Sequence, residues 1–506
     1  MRKSIKIIIS ILFILSGALG QGEGYPVYPI IFVHGLYGGY DSFYHQNSEE
    51  PDGFIPELLE LINTSEPKVL HICLNHDENN ETAILEDDFS VVGWTNFGEN
   101  TLATPNDEDR LFILNLNDDT FQNVNNHGEH NRSNNAAIYK QGKAVSKIIE
   151  DVRNFTGSDK VVLVGHSMGG LAIREYLQRI EDGNSKWWIV QNSEDGHKVA
   201  NVVTIGTPHL GSNAGCDPTF RDSRDEGWDD IFGTSEAFRD LKYSYDSYSD
   251  DCEGNPSGIY LFGGNEGCII EDEWGGSTFN NVDINCNGTE YDDIIGLNQT
   301  STYNSQMPLP ENIYYTWITS NTNDGENPAC INWLAFPCAG ICIGDNGDGD
   351  GAVILNNQWL HFDSMSMPIS VSDTLLTSTP HDEEGSDFNA IIRGLDEPDS
   401  IENSYEIELS TLYSGFITYQ PNFQPTDEDY YKFTLNETGV LTVTIDGTSQ
   451  SGVEGISIFN SGGNLINSAT IVSWPFSLEL IDLILDNYII KLEGTANSET
   501  WQNPYS

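Results

Sequence analysis

The segment Val164-Gly165-His166-Ser167-Met168-Gly169-Gly170 places one hydroxyl among small residues. It follows the apolar run Lys160 to Val164 and precedes Leu171 to Ile180, which has helical spacing. A serine in a G-x-S-x-G turn between strand and helix is the setting of an activated nucleophile. The strained turn lifts the hydroxyl above the sheet, and the glycines let neighbouring backbone come close. The helix that follows points its positive end at a developing oxyanion. Upstream, Pro29-Ile30-Ile31-Phe32-Val33-His34-Gly35-Leu36 is an apolar run ending in His-Gly.

These residues need a rigid frame. Val27 to Val33, Val69 to Leu74, Leu111 to Leu116, Lys160 to Val164, Val199 to Ile205 and Ile313 to Thr319 read as strands. Ala136 to Val152 and Leu171 to Ile180 read as helices between them. Continuous rather than alternating apolar runs mark strands buried on both faces. The alternation of strands and helices predicts an α/β fold with an open, mostly parallel central sheet. Residues 212 to about 305 interrupt this rhythm with cysteines and acids, and read as a cap-like insertion over the carboxyl edge of the sheet. From 396 to 506 there are 17 acids but only Lys432 and Lys491 as bases. There, short alternating runs (Tyr430 to Phe433, Val440 to Ile445, Ile456 to Phe459, Tyr488 to Leu492) predict a small antiparallel β-sandwich. The turns between them are expected at Asp446-Gly447, Ser461-Gly462-Gly463 and Asp486-Asn487.

On the serine elbow and the His-Gly strand, the chain closely resembles the α/β-hydrolase superfamily, in particular secreted lipases and esterases. The resemblance covers residues 21–393 and implies hydrolysis of carboxylic esters through an acyl-enzyme. It implies Leu36 and Met168 as the backbone N–H donors of the oxyanion hole. It also matches Thr207-Pro208-His209-Leu210-Gly211-Ser212 to a pocket-framing segment, which makes His209 structural. His34 reads as a buried residue shaping its loop. The acid is expected after the next-to-last strand and the histidine after the last. Asp350-Gly351-Ala352-Val353 resembles the lipases' Asp-Gly-Val-Val, with Asp348 and Asp324 as competitors. Of the two later histidines, His361 comes too early, and His381 follows the strand-like run Ile369 to Leu376. Ser167, Asp350 and His381 are thus the expected nucleophile, acid and base. The tail, from Asp427-Glu428-Asp429-Tyr430-Tyr431-Lys432-Phe433 onward, resembles the bacterial prepeptidase C-terminal β-sandwich domain, which implies an accessory domain of a secreted hydrolase without catalytic residues of its own; contact to a cell surface or polymer, processing and stabilisation are its open roles.

Charge bounds the partners. The 506 residues carry 22 bases and 78 acids, a net −56, so no basic face exists to neutralise nucleic-acid phosphates. Arg2, Lys3 and Lys6, the apolar run Ile7 to Leu15 and the small residues of Ala18-Leu19-Gly20 predict a signal peptide over 1–20 and a secreted protein. Its removal takes away three bases and no acid, shifting −56 to −59. No later stretch is apolar enough to serve as a transmembrane anchor. Eight cysteines in an exported chain predict disulfides, with Cys73 a buried free thiol. The proposed chemistry requires no cofactor. Asp283, Asn285, Asn287, Asp292 and Asp293 space their oxygens like the start of a calcium loop, but Ile294 stands where the bidentate Glu belongs; solvated Asx turns explain the pattern equally. The substrate is expected to be a lipid or other ester. Alternatives are a phospholipid or glycolipid deacylase, an acyltransferase of the same fold, or a non-catalytic surface-binding protein.

Overall fold

The computed structural model describes residues 26–36, 38–39, 42–43, 54–62, 64–74, 89–116, 136–181, 183–191, 193–209, 211, 237, 308–322, 330–331, 341–342, 350, 353, 355, 358, 373–381, 383–396, 401, 404–409, 411, 413–414, 426–447 and 451–495. The signal segment 1–20, all of the insertion except Ala237, and the calcium-loop residues Asp283, Asn285, Asn287, Asp292 and Asp293 lie outside them, as do Asp324, Asp348 and His361.

One sheet organises the first unit. Its strands are β1 (Ile30–Val33), β2 (Lys68–Leu74), β3 (Phe89–Asn96), β4 (Leu111–Asn115), β5 (Val161–His166), β6 (Val199–Ile205), β7 (Tyr314–Ser320) and β8 (Asp373–Thr377). They lie in the order β8-β7-β6-β5-β1-β4-β2-β3. Every neighbouring pair is parallel except β2 with β3. The earliest strand of the chain therefore sits mid-sheet beside β5, with Val33 in register with Gly165. This is the α/β-hydrolase arrangement. The apolar runs fall where expected, and β1, β4 and β7 are buried along their whole length. The strand β3 is an addition to the sequence reading. It is mostly half-exposed, which suits an edge strand.

Two helices carry the layer over the sheet. In α1 (Ile138–Thr156) the side chains Ala144, Val145, Ile148, Ile149 and Val152 are buried, a spacing of three and four that makes one apolar stripe. Gly157 ends the helix at φ 72°, its N–H donating to the Arg153 carbonyl. The helix α2 (Met168–Gln178) is buried on all sides, including Arg174 and Glu175. Arg179 donates two 2.7 Å bonds to the Glu175 carboxylate, and Trp187 donates a third at 2.9 Å. A carboxylate in the interior is tolerated because its charge is met bidentately.

The described residues form two compact units: those within 30–54 and 66–387 make this one, and those within 26–29, 55–65 and 388–495 make a second. The helix Phe388–Gly394, which the sequence reading assigns to the hydrolase, thus clusters with the C-terminal region. That second unit contains a five-stranded sheet in the order β9-β10-β15-β12-β13 and a two-stranded sheet β11-β14. These are β9 (Tyr405–Glu406), β10 (Thr426–Leu435), β11 (Gly439–Ile445), β12 (Val453–Asn460), β13 (Leu465–Thr470), β14 (Phe476–Leu483) and β15 (Asp486–Thr495). Pairing is antiparallel throughout except between β9 and β10. Phe433 and Tyr488 are opposite in register and stack at 5.7 Å. Asp486-Asn487 was expected as a turn. It instead opens β15, because Ile484 and Leu485 make the turn, exposed to solvent.

Cys73 lies buried in β2. A two-residue ribbon sets Cys330 opposite Cys342 in antiparallel register.

Candidate active site

Parallel strands deliver their loops to one edge, so residues far apart in sequence meet beyond the carboxyl ends of β1, β5, β6, β7 and β8. Ser167 follows β5 directly and caps α2. Its backbone is at φ 53° and ψ −128°, a left-handed conformation that costs a non-glycine residue about 1–3 kcal/mol. The turn is held by its neighbours. The Ser167 N–H donates to the Ile205 carbonyl at 2.8 Å, and Gly170 donates to the Ser167 carbonyl at 3.1 Å. A Cβ on Gly165 would come within 2.7 Å of the Gly170 backbone, and one on Gly169 would run into the Val33 carbonyl. Both positions therefore need glycine on grounds of space alone.

His381 lies four residues past the end of β8 and is buried. Its Nε2 stands 2.9 Å from the Ser167 Oγ, and its Nδ1 stands 2.8 Å from Asp350 Oδ2. With Nδ1–H donating to Asp350, Nε2 carries the lone pair and the serine hydroxyl donates to it. Burial pulls the imidazole towards neutrality, but the Asp350 charge and hydrogen bond, then Glu384, outweigh it and raise its pKa well above 6.5. Asp350 is itself pinned. Its Oδ1 accepts from the Val353 N–H at 2.7 Å, and its carbonyl accepts from the His381 N–H at 3.1 Å. Gln358 bolts this segment to the end of β7: it accepts from the Ser320 N–H at 2.7 Å and donates to the carbonyls of Ser320 (3.1 Å) and Val353 (2.9 Å).

The two amides expected as oxyanion donors flank the serine. Met168 is the first residue of α2. Leu36 lies three residues beyond β1, and a Cβ on the adjoining Gly35 would stand 2.5 Å from the Ser167 Cβ. Leu36 packs against a buried apolar cluster of Ala137, Ile138, Tyr139, Met168, Leu171 and Ala237. Ala237 brings the insertion to this wall.

The remaining histidines of this edge are structural in their contacts. His34 is fully buried; its Nδ1 donates to the Gly35 carbonyl at 2.9 Å and its Nε2 accepts from the Leu116 N–H at 2.9 Å. Burial brings its pKa down to about 4, so it is neutral. His209 is also buried and neutral, held by desolvation and by the nearby Arg174 charge. Its Nε2 lies 3.0 Å from Thr204 Oγ1, and Arg174 donates to its carbonyl at 2.9 Å.

Two residues that sequence reasoning missed complete the site. His166 donates from Nε2 to the His381 carbonyl at 2.9 Å, and burial followed by the neighbouring His381 lowers its pKa to about 3. Glu384 Oε2 lies 3.1 Å from His381 Nδ1, in the same buried space as Asp350. The available signal was the spacing of three between His381 and Glu384, which puts both on one face of a helical turn. As for metal ligands, Asp396, Asp427 and Asp429 of the second unit bring carboxylate oxygens within 4.8 Å of one another.

Residues 134–217 match the model of the lecithin:cholesterol acyltransferase family. The matched stretch runs from α1 through the serine elbow to β6 and the Thr207-Pro208-His209 segment. Two solved structures also align. One is a Bacillus licheniformis lipase, BlEst2, in propeptide form, at 14% identity over 96% of this chain and 75% of that one, with TM-score 0.33. The other is the product of gene lin2722 from Listeria innocua, at 15% identity over 72% of this chain and 91% of that one, with TM-score 0.32. The fold assignment stands on the strand order of this chain, independently of these alignments. Among the described residues, no helix is long and apolar enough to cross a membrane.

Proposed function

We propose that this chain is a secreted serine hydrolase of lipid-type or other carboxylic esters, working through Ser167, His381 and Asp350. The observation that carries the reading is the continuous hydrogen-bonded line from Ser167 Oγ to His381 (2.9 Å) to Asp350 (2.8 Å), on an elbow that holds the serine at φ 53°. The Ser167 Oγ attacks the ester carbonyl carbon while its proton passes to His381 Nε2. The tetrahedral oxyanion is received by the N–H groups of Met168 and Leu36. Collapse expels the alcohol, which takes the proton back from Nε2, and leaves an acyl-serine. Water repeats the sequence and releases the acid. Asp350 keeps Nδ1 protonated and stabilises the imidazolium that forms at each step. The scheme calls on no cofactor. Calcium at the 283–293 loop would be structural, and chelation tests it separately.

The match to an acyltransferase family favours one second reading, in which an alcohol rather than water accepts the acyl group. The two differ in product: free acid in one case, a new ester in the other. Secretion is supported by the basic and apolar residues of the first 20 positions, and is checked by finding the chain in culture medium with a shortened N-terminus. The C-terminal unit is proposed as an accessory contact to a surface or polymer.

The decisive test is hydrolysis of p-nitrophenyl esters of graded chain length by the wild type and by Ser167→Ala. The variant is expected to lose about 10³-fold or more in kcat. A serine-directed fluorophosphonate should label the wild type alone. Turnover retained by Ser167→Ala would overturn the assignment, and failure of the wild type to react with the probe would favour a non-catalytic binding protein.

A further inference from the structure

We propose that Glu384 is a second acid on the base of this site: a positioning residue that shares His381 Nδ1 with Asp350, sets the pH at which the base becomes available, and takes over when Asp350 is lost. This rests on the reading of Ser167, Asp350 and His381 given above.

The geometry is that of two carboxylates on one nitrogen. Asp350 Oδ2 is 2.8 Å from Nδ1 and Glu384 Oε2 is 3.1 Å from it. The two differ in how they are held. Asp350 accepts the hydrogen bond from His381 Nδ1 and a backbone N–H from Val353, whereas neither buried Glu384 oxygen has a hydrogen-bond partner, so Glu384 faces Nδ1 only as a carboxylate at ion-pair distance. Glu384 is 1% exposed, so its charge would have no water to meet it. Space is cleared for it by Gly206, at φ 52° beyond β6, since a Cβ there would collide with the Glu384 carboxylate. A glycine in that conformation, with a carboxylate filling the place of its side chain, is a built position rather than a chance approach.

The groups facing Glu384 are few. His381 and Asp350 stand on one side, His166 Nε2 is 3.9 Å from Oε2, and Asp387 acts from its own turn. His166 is neutral and so contributes no charge. Burial first, and then the Asp350 charge, push the Glu384 carboxyl well up from its usual range. The Glu384 carboxyl and the imidazole therefore compete for one proton. With that proton on Glu384, His381 is neutral and Nε2 can accept from Ser167. With it on the imidazole, Nε2–H blocks the attack. When it leaves the cluster altogether, two carboxylates face Nδ1 and the base is at its strongest. An opposite charge this close raises an imidazole pKa, so removing Glu384 must lower that of His381. The activity that depends on a neutral His381 then extends to lower pH.

The test uses the full chain and the variants Glu384→Gln, Asp350→Ala and the double, each checked for folding by circular dichroism. The acid limb of kcat/KM, and that of fluorophosphonate labelling of Ser167, should move downward by about one pH unit or more in Glu384→Gln. Asp350→Ala should retain activity that falls about tenfold or more when Glu384→Gln is added. If Glu384→Gln fails to fold, Glu384→Leu fills the same space without a charge and carries the same expectation for both limbs. Superimposable pH profiles, together with a double variant no worse than Asp350→Ala, would overturn the proposal. That result with an inactive Ser167→Ala leaves the site reading intact; an active Ser167→Ala removes both.

Discussion

The two units of this chain use strands in opposite ways. In the first, parallel strands are buried on both faces, so their side chains fill the core and the chemistry is pushed to their ends. In the second, antiparallel strands mix buried positions with half-buried and exposed ones, as in β12 and β15, and the edge strand β13 has no buried position. The chemical alphabet follows the same division. All eleven histidines and all eight cysteines precede residue 382, and none lies in the C-terminal stretch. A sheet buried on both faces is a rigid platform with loops gathered at one edge, which is what a site of three residues spread over more than 200 positions requires. The C-terminal sheets offer stability and surface without such an edge.

The sharpest way to break this contrast is to alter the two units in turn. Ser167→Ala, discussed above, carries the largest expected effect, all of it on turnover and none on the melting of the C-terminal unit. Next are the cores. Leu163→Ala in the centre of β5 should cost about 2–5 kcal/mol in denaturant unfolding and lower activity through loss of folded protein. Ile458→Ala in β12, also fully buried, should cost a similar amount while the specific activity of the folded enzyme stays unchanged. If Ile458→Ala lowered kcat in folded molecules, the units would not be functionally separable. Gln358→Ala should act on the site with little effect on stability overall. It frees the Asp350 segment from β7, and a drop in kcat of about tenfold at constant KM, as a misplaced acid would give, is the expected reading. The smallest effect is expected from Leu465→Ser on the exposed face of β13, within about 0.5 kcal/mol of wild type in a thermal melt.

How much of this was legible beforehand depended on whether burial or geometry decided it. The strands β1, β4, β5, β6 and β7 are visible as apolar runs because burial on both faces keeps acids, lysines and arginines out of them and admits only a few neutral polar groups such as Asn201, Thr204 and Thr316. The two helices were legible over Ala136 to Val152 and Leu171 to Ile180, and the structure shifts their bounds by two to four residues, to Ile138–Thr156 and Met168–Gln178. The strand β3 was missed, since its half-exposed sequence Phe-Ser-Val-Val-Gly-Trp-Thr-Asn holds a glycine, at φ 142°, where a bulge shifts its register with β2. The grouping of Ser167, Asp350 and His381 could be anticipated from the order of strands. Glu384 was not, because His381-Asp382-Glu383-Glu384 reads as a solvated loop, although its spacing of three from His381 was a signal. Only the turn of Glu384–Ser386 folds its first residue inward beneath the imidazole.

The bolt formed by Gln358 has one more consequence. Asp350 lies thirty residues beyond the end of β7, yet its position is set by contacts at Ser320 and Val353 rather than by the path of the chain between. Because Gln358 ties the Asp350–Val353 turn to the end of β7, any shift of Ser320 is passed to the acid and, through it, to His381.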